Sequence, residues 1–287
     1  MDTRLLVYYL AIAEEENITK ASQILHVTQP TLSRQMMQLE EELGVKLFIR
    51  SKHRIILTNE GMLFKQRAEE IISLIEKTKY EIDKKNQISG KIIIGSGEFL
   101  TFSYLAKVIS KFKEEYPLVN FDIFSGNADS IKNKIENGLI DVGLLLTPID
   151  LEKYNFLEIP SEEIWGVFVS EDSLLIEKNY VTKEDLLYEK IIMPKRMVIQ
   201  NRITEWFGED YKNLNIVGTY NLMGNAAVFV QEKLGVAIGL KRNYNYHQVY
   251  FLPLYPSITA KTILVWKKNL IISPILDNFL KYIKNTF

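Results

Sequence analysis

The sequence predicts a chain of α+α/β class in three parts: a short helical module closed by a two-stranded hairpin, one long helix, and some two hundred residues of alternating strand and helix. Three observations carry this. Apolar residues recur every three or four positions through the first helices. Between Asn59 and about Gln87 there is no proline, and the only glycine, Gly61, falls in the first turn. From Gly90 onward, β-branched runs and helical stripes take turns.

Bulk properties bound the reading. A chain of 287 residues is about twice the ~150-residue prior for one domain, so two or three domains are expected. Apolar residues at 47% and charged residues at 25% argue against a disordered or fibrous chain. The net charge of -1 does not by itself announce a nucleic-acid partner. With no cysteine there can be no disulfide, thiolate nucleophile, iron–sulfur cluster or cysteine zinc site. His26, His53 and His247 are far apart and form no metal-binding pattern, so no metal is expected. No apolar run approaches the ~18 residues of a membrane span. Ala11-Ile12-Ala13 imitates a signal-peptide cleavage site, but the run before it is short, holds two tyrosines and meets Glu14-Glu15-Glu16. It reads as a helix of a cytoplasmic protein.

Leu5, Tyr8 or Tyr9, and Ile12 give a first helix over residues 3 to 15. Thr19 is a plausible N-cap for a second helix carrying Ala21, Ile24 and Leu25 inward. Thr28 caps a third, with Pro30 in its first turn, where a missing N–H costs nothing. Leu32, Met36, Leu39 and Leu43 form its buried stripe and Gly44 ends it. Gln29, Thr31, Ser33, Arg34 and Gln38 fall off that stripe. They make a short, acid-free face suited to base edges in a major groove, with Glu40 to Glu42 kept at the far end. A helical hairpin with a solvated polar face would look the same on this helix alone. Lys46 to Arg50 and Arg54 to Thr58 then read as two strands around a basic turn. Residues 46 to 54 hold the cations Lys46, Arg50, Lys52 and Arg54 and no acid. A helix-turn-helix followed by a basic hairpin is a winged helix, the wing resting on phosphates while the helix reads bases. Residues 1 to 60 hold seven Lys and Arg against eight Asp and Glu, so the positive charge is local.

Ile18-Thr19-Lys20-Ala21-Ser22, Leu25 through Gln35, Leu39 through Phe48 and Leu57-Thr58-Asn59-Glu60-Gly61 together resemble the opening of the LysR-type transcriptional regulators in order, spacing and residue type. The resemblance implies that Gln29, Pro30, Thr31, Ser33 and Arg34 face bases, with Thr19, Lys20, Thr28 and Gln38 around them, and that Arg50, Lys52 and Arg54 form the wing. It also implies a DNA partner with an inverted-repeat site, RNA polymerase as a further partner, no membrane and no catalytic residues.

Phe64, Ala68, Ile71, Ile75, Thr78 and Ile82 step by four and three in turn, a heptad seam on the long helix with Thr78 its one polar member. A helix with one narrow stripe wants a partner helix. It could find one in its own domains; the resemblance favours a second subunit, hence a homodimer or a dimer of dimers.

Beyond the polar hinge Lys85–Gly90, strands are expected at Lys91–Gly95, Val119–Phe124, Val142–Leu146, Ile164–Val169, Ile191–Met193, Ile216–Gly218, Val236–Ile238 and Thr262–Trp266. Helices are expected around Leu105–Phe112, Ile131–Asn137, 200 to 207, 221 to 233 and Ile275–Ile283. The alternation implies a mainly parallel sheet covered on both faces. By resemblance this is a two-lobed α/β effector domain of the type 2 periplasmic-binding-protein kind, holding a small-molecule effector of unknown identity and no other cofactor. The expected partition is 1–58 for the winged helix-turn-helix, 59–88 for the linker helix and 89–287 for the effector domain. One lobe takes about 91–160 with 264–287, the other about 161–263.

Ligands in open α/β sheets sit at the carboxyl ends of strands, beside helix N-termini. Those places are Ser96, Gly97, Glu98, Phe99 and Thr101; Ser125 and Asn127; Leu146 and Thr147; Met193 and Pro194; and Asn221 and Met223. Each is equally a turn former. Lys195 and Arg196 hint at an anionic effector while Glu98 pulls the other way. Gly95-x-Gly97 invites a dinucleotide reading, but Leu100 stands where the third glycine belongs. Two other classes stay open at this stage: a solute-binding protein whose first helices only dock, and an enzyme, for which no nucleophile–base pair or phosphate loop can be assembled.

Overall fold

Periodicity and caps decide the first elements. In a computed structural model, which describes residues 2–50, 54–82, 88–195, 197–243, 245–268 and 272–286, helix α1 spans Thr3–Glu15, α2 Ile18–Ile24 and α3 Gln29–Leu43. Of residues 50, 80–82 and 197–199 only the backbone is described. Thr28 caps α3 by accepting from the Thr31 N–H at 3.4 Å, and left-handed Gly44 ends it. The cap of α2 differs from expectation: Asn17 takes the place of Thr19, its Oδ1 accepting from the N–H groups of Thr19 at 2.9 Å and Lys20 at 3.1 Å. A side chain two positions earlier reaches two free donors at once, which Thr19, already inside the first turn, cannot do.

Leu5, Tyr9, Ile12, Ala21, Leu32, Met36, Leu39 and Leu47 form the module's core. Ile24 and Leu43, expected inward, are exposed; each is the last residue of its helix. Strand β1 (Phe48–Arg50) pairs antiparallel with β2 (Ile55–Leu57), and the Ile55 N–H donates to Glu16 O at 2.8 Å, tying the hairpin to the end of α1. Helix α4 follows over Asn59–Ile82, 24 residues or roughly 36 Å. Its expected continuation to Gln87 lies outside the described residues. The Thr58 hydroxyl accepts from the Gly61 N–H at 2.9 Å and donates to Lys46 O at 2.7 Å. Gly61 is required for room: a Cβ there would sit 2.2 Å from Leu47 O.

Residues Met1–Lys91 and Ile92–Phe287 are separate compact units. In the second, β3 (Gly90–Ser96), α5 (Phe102–Glu115), β4 (Val119–Ser125), α6 (Ala128–Glu136) and β5 (Val142–Leu146) build one lobe. β6 (Tyr154–Ser170) leads into the other, made of α7 (Lys183–Leu186), β7 (Lys190–Pro194), α8 (Met197–Phe207), β8 (Asn215–Tyr220), α9 (Met223–Gln231), β9 (Val236–Leu240) and β10 (Val249–Pro253). β11 (Thr259–Lys267) and α10 (Pro274–Thr286) return to the first. There Phe279 meets Phe112 of α5 edge-on at 5.1 Å.

The strand order is β4-β3-β5-β11-β6-β9-β7-β8, with β10 also on β6. β5 and β9 are buried at every position, as strands covered on both faces must be. The expectation of a mainly parallel sheet is corrected. β3/β5, β7/β8 and β7/β9 run parallel, but β11 is antiparallel to β5 and β6, and β6 to β9 and β10. β6 and β11 cross the middle of the sheet against the flow of the βαβ units. The 17-residue β6 was legible only from Ile164, because Pro160 interrupts its pattern. At that point Ile159, Pro160 and Ser161 stand against Thr262 alone, so a residue without an N–H sits in a break of register where no donor is needed.

Candidate nucleic-acid interface and effector cavity

In the first unit, Gln29, Pro30, Thr31, Arg34 and Gln38 are exposed along one side of α3 and Ser33 is half-buried. Thr19 and Lys20 are exposed in the first turn of α2. The Thr28 and Thr31 hydroxyls hydrogen-bond at 2.8 Å, which orders the turn that leads into this face. Arg54 is exposed at the start of β2; the side chain of Arg50, and Lys52 with His53, lie outside the described residues.

Two residues depart from the sequence reading. Glu40, grouped from the sequence with Glu41 and Glu42 at the far end of α3, is only 8% exposed. Its carboxylate accepts from Lys46 Nζ at 2.7 Å, the Leu47 N–H at 2.9 Å and the Phe48 N–H at 3.3 Å. Burial would raise its pKa, but the Lys46 ammonium and the two amides outweigh that and hold the carboxyl below its ordinary range. Lys46, counted among the wing cations, is therefore paired, and Glu40 fastens the wing to the reading helix.

The seam is also shorter than the heptads suggest. Phe64 stacks edge-on against Tyr9 at 4.8 Å, and Ala68, one turn on, is fully buried on the helix that α1 packs along. The Tyr9 hydroxyl donates to Gly61 O at 2.7 Å, and burial pushes its pKa up. Both residues are thus taken up within the first unit, and the rest of the expected seam starts with Ile71 and Ile75, both half-buried, with exposed Leu74 between them. The side chain of Ile82 is outside the described residues.

In the second unit, a cavity of about 250 Å³ is lined by Ser96, Gly97, Glu98, Phe99 and Ser125, all named from the sequence, and by Phe102, Ile123, Arg242 and Asn243, which were not. Thr101 does not line it: fully buried, its hydroxyl bonds to that of Thr262 at 2.9 Å. Asn127 caps α6, accepting from the Ser130 N–H at 2.8 Å. Leu146 and Met193 belong to the core of the second lobe, and Met223, the first residue of α9, packs with Phe168 and Ile192. Thr147 is tied to Lys261 O through its N–H at 2.9 Å. Buried Pro194 accepts from Gln200 Nε2 at 2.9 Å, Asn221 is exposed, and Arg196 lies outside the described residues. Of the thirteen strand-end residues named from the sequence, five line the cavity and eight do not. The rule itself would have found Arg242 and Asn243, which follow the carboxyl end of β9.

Glu163 of β6 is fully buried and accepts from the N–H groups of Leu100 at 3.1 Å and Thr101 at 2.9 Å. It does for α5 what the helix's own Thr101 does not, since that side chain makes no cap bond. Asn243 Nδ2 donates to Leu100 O at 3.2 Å on the same loop. Arg242 Nη2 lies 3.9 Å from Glu98 Oε2, and Arg242 Nε is buried without a hydrogen-bond partner among the described residues. The Tyr220 hydroxyl donates to Ile238 O at 2.7 Å; burial raises its pKa, opposed by the charge of Arg242. Among the described residues no group of His, Asp and Glu could hold a metal ion, and no helix is long and apolar enough to cross a membrane.

Two families match. Residues 3–62 match the family described as bacterial regulatory helix-turn-helix protein, lysR family, and residues 85–287 the LysR substrate binding domain. The HTH-type transcriptional regulator BsdA of Bacillus subtilis (strain 168) is 37% identical over 161 residues, 55% of this chain and 55% of that protein. The Hca operon transcriptional activator HcaR of Escherichia coli (strain K12) is 29% identical over 304 residues, 99% of this chain and 97% of that one. Full-length CbnR, solved in complex with its target DNA, superposes with a TM-score of 0.78 at 19% identity, covering all of both chains; the likeness is one of fold.

Proposed function

The chain belongs to the LysR family of bacterial transcriptional regulators, with a helix-turn-helix DNA-binding domain and a substrate-binding effector domain, and from that premise we propose how its parts act. Two copies pair through α4, using Ile71, Ile75 and Ile82, and set two winged helices on an inverted-repeat promoter site, as a homodimer or a dimer of dimers in the cytoplasm. Gln29, Pro30, Thr31, Ser33, Arg34 and Gln38 read base edges, with Thr28, Thr19 and Lys20 flanking them; Arg50, Lys52 and Arg54 rest on phosphates. The linker takes 59–88, and the lobes about 91–160 with 264–287 and 161–263. A small molecule in the cavity beside Ser96–Phe99 and Ser125 favours one lobe arrangement through its different affinity for the two, and the bound regulator touches RNA polymerase.

The observation that carries this is the acid-free, exposed face of α3 beside a wing that Glu40 locks in place. Footprinting of purified protein on genomic promoter fragments at low salt tests it. Protection of two half-sites about one helical turn apart is the expected result; no protection of any promoter overturns it.

A further inference from the structure

We propose that the cavity selects a small monoanion, a carboxylate on an apolar body, and that Arg242 rather than the start of α5 holds the carboxylate. The inference rests on the effector reading above and gives its ligand a chemical class. A helix N-terminus facing a cleft is the ordinary place for an anion, because its free amides point outward. Here that place is taken. Glu163, fully buried, already accepts from the Leu100 and Thr101 N–H groups, and its charge is matched by the dipole of the helix it caps.

The remaining strong donor on the cavity is Arg242. Its side chain is 12% exposed, its Nε is buried without a partner among the described residues, and Glu98 Oε2 at 3.9 Å is too far for a hydrogen bond. A largely buried guanidinium with its Nε donor unmet is costly until an acceptor arrives, and its planar fork matches a carboxylate through two parallel bonds. One arginine matches one negative charge. A phosphate dianion would bring a second charge into a neighbourhood that holds Glu98 and Glu163 and, among the described residues, no cation but Arg242 on the cavity wall. Phe99, Phe102 and Ile123 form the rest of the wall, and about 250 Å³ is small for a ligand site, so the body of the ligand is a ring or a short branched chain. Glu98, about half exposed, stands 3.9 Å from Arg242 and competes with the ligand from the mouth.

The test uses the full chain and three probes with one apolar body and different head groups: phenylacetate, phenylacetamide and phenethylamine. Calorimetry should give phenylacetate a Kd of about a millimolar or tighter, with the amide at least about tenfold weaker, as loss of a charge-assisted pair implies. Arg242→Gln should abolish the difference between acid and amide, Arg242→Lys should keep part of it, and Glu98→Gln should tighten the acid several-fold. Circular dichroism and an unchanged unfolding midpoint of Arg242→Gln establish that it folds. The proposal is overturned if the wild type binds the amide or amine as well as the acid, if Arg242→Gln keeps the discrimination, or if phenylacetate shows no saturable binding at about ten millimolar. Footprinting without any probe separates the two readings. Acid discrimination with no DNA protection refutes the regulator and leaves the ligand class standing; protection without discrimination does the reverse.

Discussion

Replacing Glu40 by alanine should unfasten the wing from the reading helix, and the cost can be worked from the geometry. The substitution strips the acceptor from two amides, Leu47 N–H at 2.9 Å and Phe48 N–H at 3.3 Å, the first of them on a residue that is 1% exposed. A buried donor left unsatisfied costs about 1–3 kcal/mol. Lys46 adds little, because its side chain is 72% exposed and ion pairs of that kind are worth about 0–1 kcal/mol. Glu40→Ala should therefore destabilise the N-terminal unit by about 2–4 kcal/mol, Glu40→Gln by about half of that since its amide oxygen still accepts, and Lys46→Ala by less than about 1 kcal/mol. Urea unfolding read by amide exchange in residues 46 to 57 measures each. If Lys46→Ala costs as much as Glu40→Ala, the carboxylate acts as an ion-pair partner and not as an acceptor for the wing's amides, and the reasoning fails. The pH dependence has a fixed sign. Because the folded carboxyl is held below its ordinary value, its contribution is complete above the unfolded glutamate value of about 4.3 and is lost as pH falls through the lowered one. Glu40→Gln should flatten that acid limb.

Other substitutions separate roles that share an element. Arg34→Ala should relax sequence preference at one base position by about 1–3 kcal/mol, whereas Arg54→Ala should weaken binding to all sequences and reduce the salt slope by about 1, both read by titration at several salt concentrations. Ile75→Glu should yield monomers in sedimentation without destabilising the N-terminal unit; Phe64→Ala should destabilise that unit by about 2 kcal/mol or more and leave the oligomer intact, since its ring packs on Tyr9. Gly61→Ala should cost about 1–3 kcal/mol in the same unfolding assay, because its Cβ would meet a backbone oxygen, Leu47 O, at 2.2 Å.

What was legible in the sequence was periodic or local. The stripe Leu32, Met36, Leu39 marks α3 because a helix repeats its face every three or four residues. The cap Thr28 and the stop Gly44 are legible for the same reason: each acts within one turn of where it stands. Thr19 failed as a cap since Asn17, two residues away, has an equally suitable side chain, and the choice depends on where the backbone turns. Glu40 was illegible because its partners come after the Gly44 turn, and nothing in the run Glu40-Glu41-Glu42 distinguishes the one acid that folds back. Phe64 and Ala68 fit the heptad as well as Ile71 and Ile75 do; only the presence of α1 alongside divides them. Arg242 belongs to the cavity through the sheet order, which brings the end of β9 to the loop that follows β3, a non-local fact that no window of residues contains.

The same non-local order restricts how the two lobes can move. β6 pairs with β11 from Tyr154 to Ile164, then with β9 and β10 from Trp165 to Ser170, so one continuous strand belongs to both lobe sheets. Wide separation of the lobes would have to break that ladder. The compliant point is the register break where Ile159–Ser161 face Thr262, since the ladder is already interrupted there. That point is not isolated: Thr262 bonds Thr101, and Glu163, two residues past Ser161, bonds the amides of Leu100 and Thr101. A twist at the crossing therefore carries the N-terminus of α5 with it, and with α5 the loop Gly97–Phe99 that walls the cavity. Asn243 closes the circuit by bonding Leu100 O from the far side. Under the proposed function, a molecule bridging Arg242 and that loop acts beside this break in the ladder, and a difference in contact energy there becomes a difference in lobe angle without any longer pathway.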